Sequence, residues 1–102
     1  DYTFSPVYVG YLGEIVIQLV EKAFTGIINV GSPNPCSKYD FGITLAEECN
    51  IDSSPIQKGL MYDHSFSALR FRKLDLNVSK LSGLDITPPE YRLSIRRFVR
   101  ER

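Results

Sequence analysis

Arg70-Phe71-Arg72-Lys73 is the tightest cluster in this 102-residue chain of side chains able to grip a ligand. Each guanidinium can offer two parallel N–H donors to phosphate oxygens, and the cluster falls in an aperiodic stretch of the kind where binding groups collect. Such a segment suits a diphosphate. From composition alone the plainer reading is a solvated basic turn near Asp75. A second basic group is the tail, where Arg92, Arg96, Arg97, Arg100 and Arg102 outnumber Glu90 and Glu101. On a helix Arg92 and Arg96 are i,i+4 neighbours, a face that can meet nucleic acid. Here the helical dipole explains it better: cations favour a helix C-terminus, and the interleaved Tyr91, Ile95 and Phe98 have core spacing. With zero net charge and no basic excess elsewhere, no nucleic-acid partner is expected.

The rest of the catalytic vocabulary is missing. There is no Gly-x-Gly-x-x-Gly, P-loop, His-Glu-x-x-His or Cys-x-x-Cys, and none of the six tyrosines has a lysine four positions later. The single histidine, His64, has no second histidine or adjacent cysteine with which to share a metal, and reads as a surface or turn residue. No catalytic, cofactor-binding or metal-binding residue is assigned. Cys36 and Cys49 bracket an expected helix that would separate their Cα atoms by about 20 Å. That is too far for a disulfide, so both are expected to be free thiols in a reducing, cytoplasmic setting. Asn77-Val78-Ser79 then reads as a chance glycosylation sequon.

These side chains need a scaffold, and composition bounds what it can be. With 43% hydrophobic and 24% charged residues the chain reads as one ordinary globular domain with a modest core. Glu14, Gln18, Glu21 and Lys22 interrupt the richest apolar stretch, so no membrane span is expected. The chain opens Asp1-Tyr2-Thr3-Phe4, with no initiator Met, basic leader or signal core, and reads as a fragment or a processed product.

Ser5-Pro6-Val7-Tyr8-Val9 is β-branched and aromatic and predicts an extended opening strand or turn. Leu12, Ile15, Val16, Leu19, Val20 and Ala23 recur at helical spacing, with Gly26 as the expected stop. Ile27 to Val30 predicts a short strand covered on both faces. After the loop Gly31-Ser32-Pro33-Asn34-Pro35, Ser37 is placed to cap a helix, three positions before Asp40. That helix shows an apolar stripe of Phe41, Leu45, Ala46 and Cys49 and ends near Asn50. Ile56 to Tyr62 is a weaker strand candidate, and Asp63 to Lys73 a long loop with one short extended piece. Val78 to Leu81 predicts one helical turn stopped at Gly83. Thr87-Pro88-Pro89-Glu90 predicts a capped start, with Thr87 as cap, for a last helix presenting Tyr91, Ile95, Phe98 and Val99. The fold class expected is α+β: a small lobe of about three helices with short strands and no internal boundary.

Taken in order, Ser5-Pro6-Val7-Tyr8, Thr25-Gly26-Ile27-Ile28-Asn29-Val30-Gly31, Ser37-x-Tyr39-x-Phe41 with Ala46-Glu47, and Arg70-x-Arg72 leading into Leu76-Asn77-Val78-Ser79-Lys80-Leu81 resemble the carboxyl-terminal portion of dTDP-4-dehydrorhamnose reductase. That family belongs to the extended short-chain dehydrogenase/reductases. Each piece alone is weak, and the ordered set is more specific. The sequence departs from the family at Val7, Tyr11, Phe71 and Asn77, where Thr, Asp, Pro and often Asp are usual; the first two bear on which sugar is accepted. Related epimerases and dehydratases share much of this half, as does a regulatory subunit of methionine adenosyltransferase.

The resemblance implies hydride transfer from NAD(P)H to a nucleoside-diphosphate keto sugar, with a tyrosine as acid and a lysine tuning it. In that family the cofactor loop and the Tyr-x-x-x-Lys pair belong to an amino-terminal Rossmann-type domain, which this chain does not contain. By itself the chain is expected to be catalytically silent and to bind no cofactor. Its expected partners are the sugar nucleotide, held at its diphosphate by Arg70 and Arg72, the dinucleotide-binding domain, and a further copy of the protein against either long helix.

Overall fold

A computed structural model describes residues 2–60, 65 and 67–102. In chain order the elements are β1 (Thr3–Phe4), α1 (Val9–Glu21), β2 (Cys36–Ser37), α2 (Lys38–Glu48), β3 (Lys73–Leu74), α3 (Ser79–Gly83) and α4 (Tyr91–Glu101). β1 is the middle strand of a minimal mixed sheet. It pairs antiparallel with β2 (Thr3 opposite Ser37, Phe4 opposite Cys36) and parallel with β3 (Thr3 opposite Lys73, Phe4 opposite Leu74). The α+β class expected from the sequence is the observed one. No helix among the described residues is long and apolar enough to cross a membrane.

Three helices end the same way, and none uses a glycine for it. Ala23, Asn50 and Asp85 stand at φ 53°, 56° and 57°. Behind them the N–H groups of Phe24, Ile51 and Ile86 reach back to the carbonyls of Leu19, Ala46 and Leu81, at 3.0, 2.9 and 3.0 Å. These are Schellman turns, which satisfy the last free carbonyls of each helix. So α1 stops at Ala23 rather than Gly26, and Gly83 lies inside α3, whose turn is made by Asp85. The third turn also builds the core. It folds Ile86 (1% exposed) back onto Leu81 (0%), and Ile15 and Val78 complete the buried cluster, with Leu19, Ile28, Val30 and Leu84 around it.

Ser37 caps α2 as expected, its Oγ accepting from the Asp40 N–H at 3.0 Å. Within α2, Ala46 of the predicted stripe is buried, as is Thr44, which lies off it. The α4 start differs from the prediction. The cap position falls to Glu90, whose carboxylate accepts from Asn34 Nδ2 at 3.3 Å instead of closing a capping box, and Thr87 stays outside the helix. Along α4, Ser94 and Ile95 are buried, while Phe98 is 44% exposed.

Two larger differences concern apolar patterns. The predicted α1 stripe splits: Ile15 is buried and Leu12 and Leu19 half-buried, but Val16, Val20 and the neighbouring Val9 and Ile17 are 48–74% exposed. Ile27 to Val30 forms no strand. Ile28 and Val30 pack on the core, Ile27 is 85% exposed, and the Ile27 carbonyl accepts from Lys80 Nζ at 2.9 Å. The alternation is that of a strand, but a strand is defined by a neighbour's ladder, and no described segment supplies one here. Ile56 to Leu60 is likewise not a strand; Met61, Tyr62 and His64 lie outside the described residues.

Gly31, next along, has no room for a side chain. A Cβ there would stand 2.7 Å from the Ser5 carbonyl oxygen and 3.2 Å from both Ser5 Cβ and Leu76 Cδ1. Gly31→Ala is expected to cost about 1–3 kcal/mol, because backbone and not a flexible side-chain end must yield. Urea unfolding of wild type and variant measures it, and a loss below about 0.5 kcal/mol would contradict this close approach.

Candidate functional site

The predicted binding residues lie on the segment that runs into β3. Residues 67–77 are all exposed, Arg70 and Arg72 among them. What fixes this segment is β1. The Thr3 N–H donates to the Arg72 carbonyl at 2.8 Å, Thr3 Oγ1 donates to Asp75 Oδ1 at 2.7 Å, and the Leu76 N–H donates to Ser5 Oγ at 3.0 Å. The fold thus brings the stretch around Ser5-Pro6 beside the stretch around Arg70-x-Arg72, about 70 positions along the chain.

Past Ser5 the same stretch of chain changes character. Pro6 to Val9 form one wall of a groove of about 410 Å³, closed by Phe41 and Leu45 of α2 and by Ser94, Ile95 and Phe98 of α4. The size is that of a small-ligand cleft. Its lining is almost wholly apolar, since the Ser94 hydroxyl already accepts from the Tyr8 N–H at 3.1 Å. The aromatic pairs Phe4–Phe41 and Tyr8–Phe98, with ring centroids 5.7 and 6.0 Å apart, hold the two helices to this stretch. Phe41, Leu45 and Ile95 are visible in the sequence as helix stripes. The groove they share with Pro6 to Val9 is not, because it depends on how α2 and α4 meet.

Beside the groove, Arg97 is committed to structure. Its guanidinium meets Glu14 of α1 at 2.8 Å and Glu101 of α4 at 2.6 Å, and lies 4.6 Å from the centre of the Tyr11 ring. Hydrogen bonds to the two carboxylates raise its pKa further and, in return, Arg97 holds Glu101 below the usual carboxylate range. The Tyr8 hydroxyl donates to Glu101 at 3.2 Å, and burial followed by that negative charge pushes its pKa up. It stays a protonated donor at neutral pH. Arg96 pairs with Glu48 of α2 at 3.3 Å. The basic tail is therefore partly spent on joining α4 to α1 and α2, through ion pairs that helix spacing alone does not specify.

Both cysteines are free. Burial, and then the nearby Asp40 charge, push the Cys36 thiol up to about 11, so it is a poor nucleophile and a poor metal ligand at neutral pH. Among the described residues no three acidic, histidine or cysteine side chains gather to hold a metal ion.

No family model matches the chain, and no solved structure matches it. Over 83 residues, 81% of its length, it is 28% identical to a curated protein of Haloferax volcanii named as a probable low-salt glycan biosynthesis reductase. The chain spans 28% of that relative's length.

Proposed function

We propose that this chain is the substrate-binding portion of an NAD(P)-dependent reductase acting on a nucleoside-diphosphate keto sugar, of the dTDP-4-dehydrorhamnose reductase kind. The observation that carries the reading is the likeness to a reductase named for glycan biosynthesis across four fifths of the chain. The ordered motifs of the reductase family agree with it. So does the placement of Arg72, whose carbonyl is bonded to Thr3 of β1, with Arg70 exposed two residues before it.

In this reading the chemistry is divided. A dinucleotide-binding domain supplies the nicotinamide, the acid tyrosine and its lysine, and the present lobe grips the sugar nucleotide across the cleft between them. Two features of the lobe favour a sheet as its neighbour. The exposed stripe of Val9, Val16, Ile17 and Val20 suits the face of a sheet, and Ile27 to Val30 has the alternation to join its edge. The cytoplasm is the proposed location, since sugar nucleotides and nicotinamide cofactors meet there.

A non-catalytic regulatory subunit of the same fold is the competing reading. NAD(P)H oxidation by the full-length protein, followed at 340 nm with and without dTDP-4-keto-6-deoxy sugar, separates the two. Sugar-dependent oxidation is the expected result. Binding of the nucleotide with no turnover would overturn the enzyme reading and leave the regulatory one.

A further inference from the structure

We propose that the apolar groove between Pro6 to Val9, α2 and α4 receives the nucleobase of the sugar nucleotide and holds it by its ring faces without reading its edge, so that different bases are accepted with similar affinity. This rests on the reading that the substrate is a sugar nucleotide.

The groove lies next to the arginine segment along the chain. The Thr3 N–H meets the Arg72 carbonyl, and Pro6, the first residue of the groove wall, stands three positions on, within about 11 Å of Thr3. The span from the diphosphate of a nucleotide to its base is of that order. Phe41, whose ring packs on Phe4 of β1, also lines the groove, so strand and groove share a wall. Its volume of about 410 Å³ is ample for a base.

The lining favours a flat ring. Tyr8, Phe41 and Phe98 present aromatic side chains to it, and stacking on such rings suits every base because each has a π-face. The two polar side chains of the lining are already engaged. Ser94, only 4% exposed, accepts from the Tyr8 N–H at 3.1 Å, and the Tyr8 hydroxyl donates to Glu101 at 3.2 Å. In an open groove the polar edge of a base keeps its water instead.

The wall is formed in advance. Those two bonds fix Tyr8 at its backbone and at its hydroxyl, while its ring meets Phe98 edge-on and lies 5.8 Å from the Arg97 guanidinium. Gly10 leaves the ring its room, since a Cβ there would stand 2.7 Å from Tyr8 Cε2. A ring held in this way loses little freedom when a base stacks on it.

The test measures dissociation constants by titration calorimetry on the full-length protein. The probes are dTDP, dUDP and dGDP, with 2-deoxyribose 5-diphosphate as the same ligand lacking its base. The three nucleotides should bind within about tenfold of one another, because a methyl group or a second ring changes only apolar contact. The ligand without a base should bind about tenfold or more weakly than dTDP. Phe98→Ala should weaken dTDP about tenfold and leave the deoxyribose diphosphate unchanged. A spread between bases beyond about tenfold would overturn the proposal, since the edge would then be read. Equal affinity for dTDP and the ligand without a base would also overturn it. So would a Phe98→Ala protein with lowered Tm and unaltered dTDP affinity, the result expected if the rest of the protein covers the groove. Should Phe98→Ala fail to fold, the wild-type comparison with and without the base decides alone. If none of the four ligands binds the wild-type protein, the sugar-nucleotide reading itself fails and the proposal falls with it.

Discussion

Leu81→Ala is expected to destabilise the protein by about 3–4 kcal/mol, the loss typical of a fully buried leucine whose surroundings cannot collapse. Leu81 is 0% exposed and sits where α3 turns back on itself: its carbonyl accepts from the Ile86 N–H, and its side chain packs with Ile86, Ile15 and Val78. Truncation therefore leaves a hole under a turn already fixed by backbone hydrogen bonds. For a domain of this size the change corresponds to a fall in Tm of about 15 °C or more. Leu69→Ala is the matched control, because Leu69 is 87% exposed and its truncation should stay within about 0.5 kcal/mol. Urea unfolding of both variants checks the contrast, and equal losses would show that the core is not centred on α3.

Much of the scaffold is legible in the residues, because local signals decide it. Helical spacing and the Ser37 cap place α1, α2 and α4 within a few residues of where they lie. The free cysteines follow from the helix between them. The misses arise where local preference meets a partner it does not itself specify. Gly26 and Gly83 are the expected helix stops, yet Ala23 and Asp85 make the turns. Once Phe24 and Ile86 can fold back on the helix they leave, the penalty of a left-handed non-glycine residue is outweighed.

Ile27 to Val30 shows the same limit in a strand. Its pattern is that of a β-strand, and its packing on the core honours half of that pattern, but ladder pairing requires another chain segment. Thr87-Pro88-Pro89-Glu90 marks the start of α4 to within a few residues while misassigning the capping residue, because Asn34, 56 positions away, takes the Glu90 carboxylate.

The candidate site was only half visible. Arg70 and Arg72 stand out by residue type and order, and their expected role in holding a diphosphate remains a proposal. That Thr3 and Ser5 would bond to this segment is not readable from spacing across some 70 positions. The one signal was the recurrence of Ser5-Pro6 and Arg70-x-Arg72 in the same motif series. The apolar groove between α2, α4 and Pro6 to Val9 gave no sequence signal beyond ordinary helix stripes.

The division of labour proposed for this lobe makes the second large effect one of binding. Charge-assisted hydrogen bonds from a guanidinium to phosphate are worth about 1.5–3 kcal/mol each, so removing two forks removes at least a factor of about 100 in affinity. The loss should be confined to one substrate, because the nicotinamide is proposed to bind elsewhere. The deciding measurement is therefore a pair of Michaelis constants in the full-length protein bearing Arg70→Ala and Arg72→Ala. KM for the nucleoside-diphosphate keto sugar should rise about 100-fold while that for NAD(P)H stays unchanged. An unaltered KM for the sugar nucleotide would contradict the assignment of this chain's exposed arginines to the substrate.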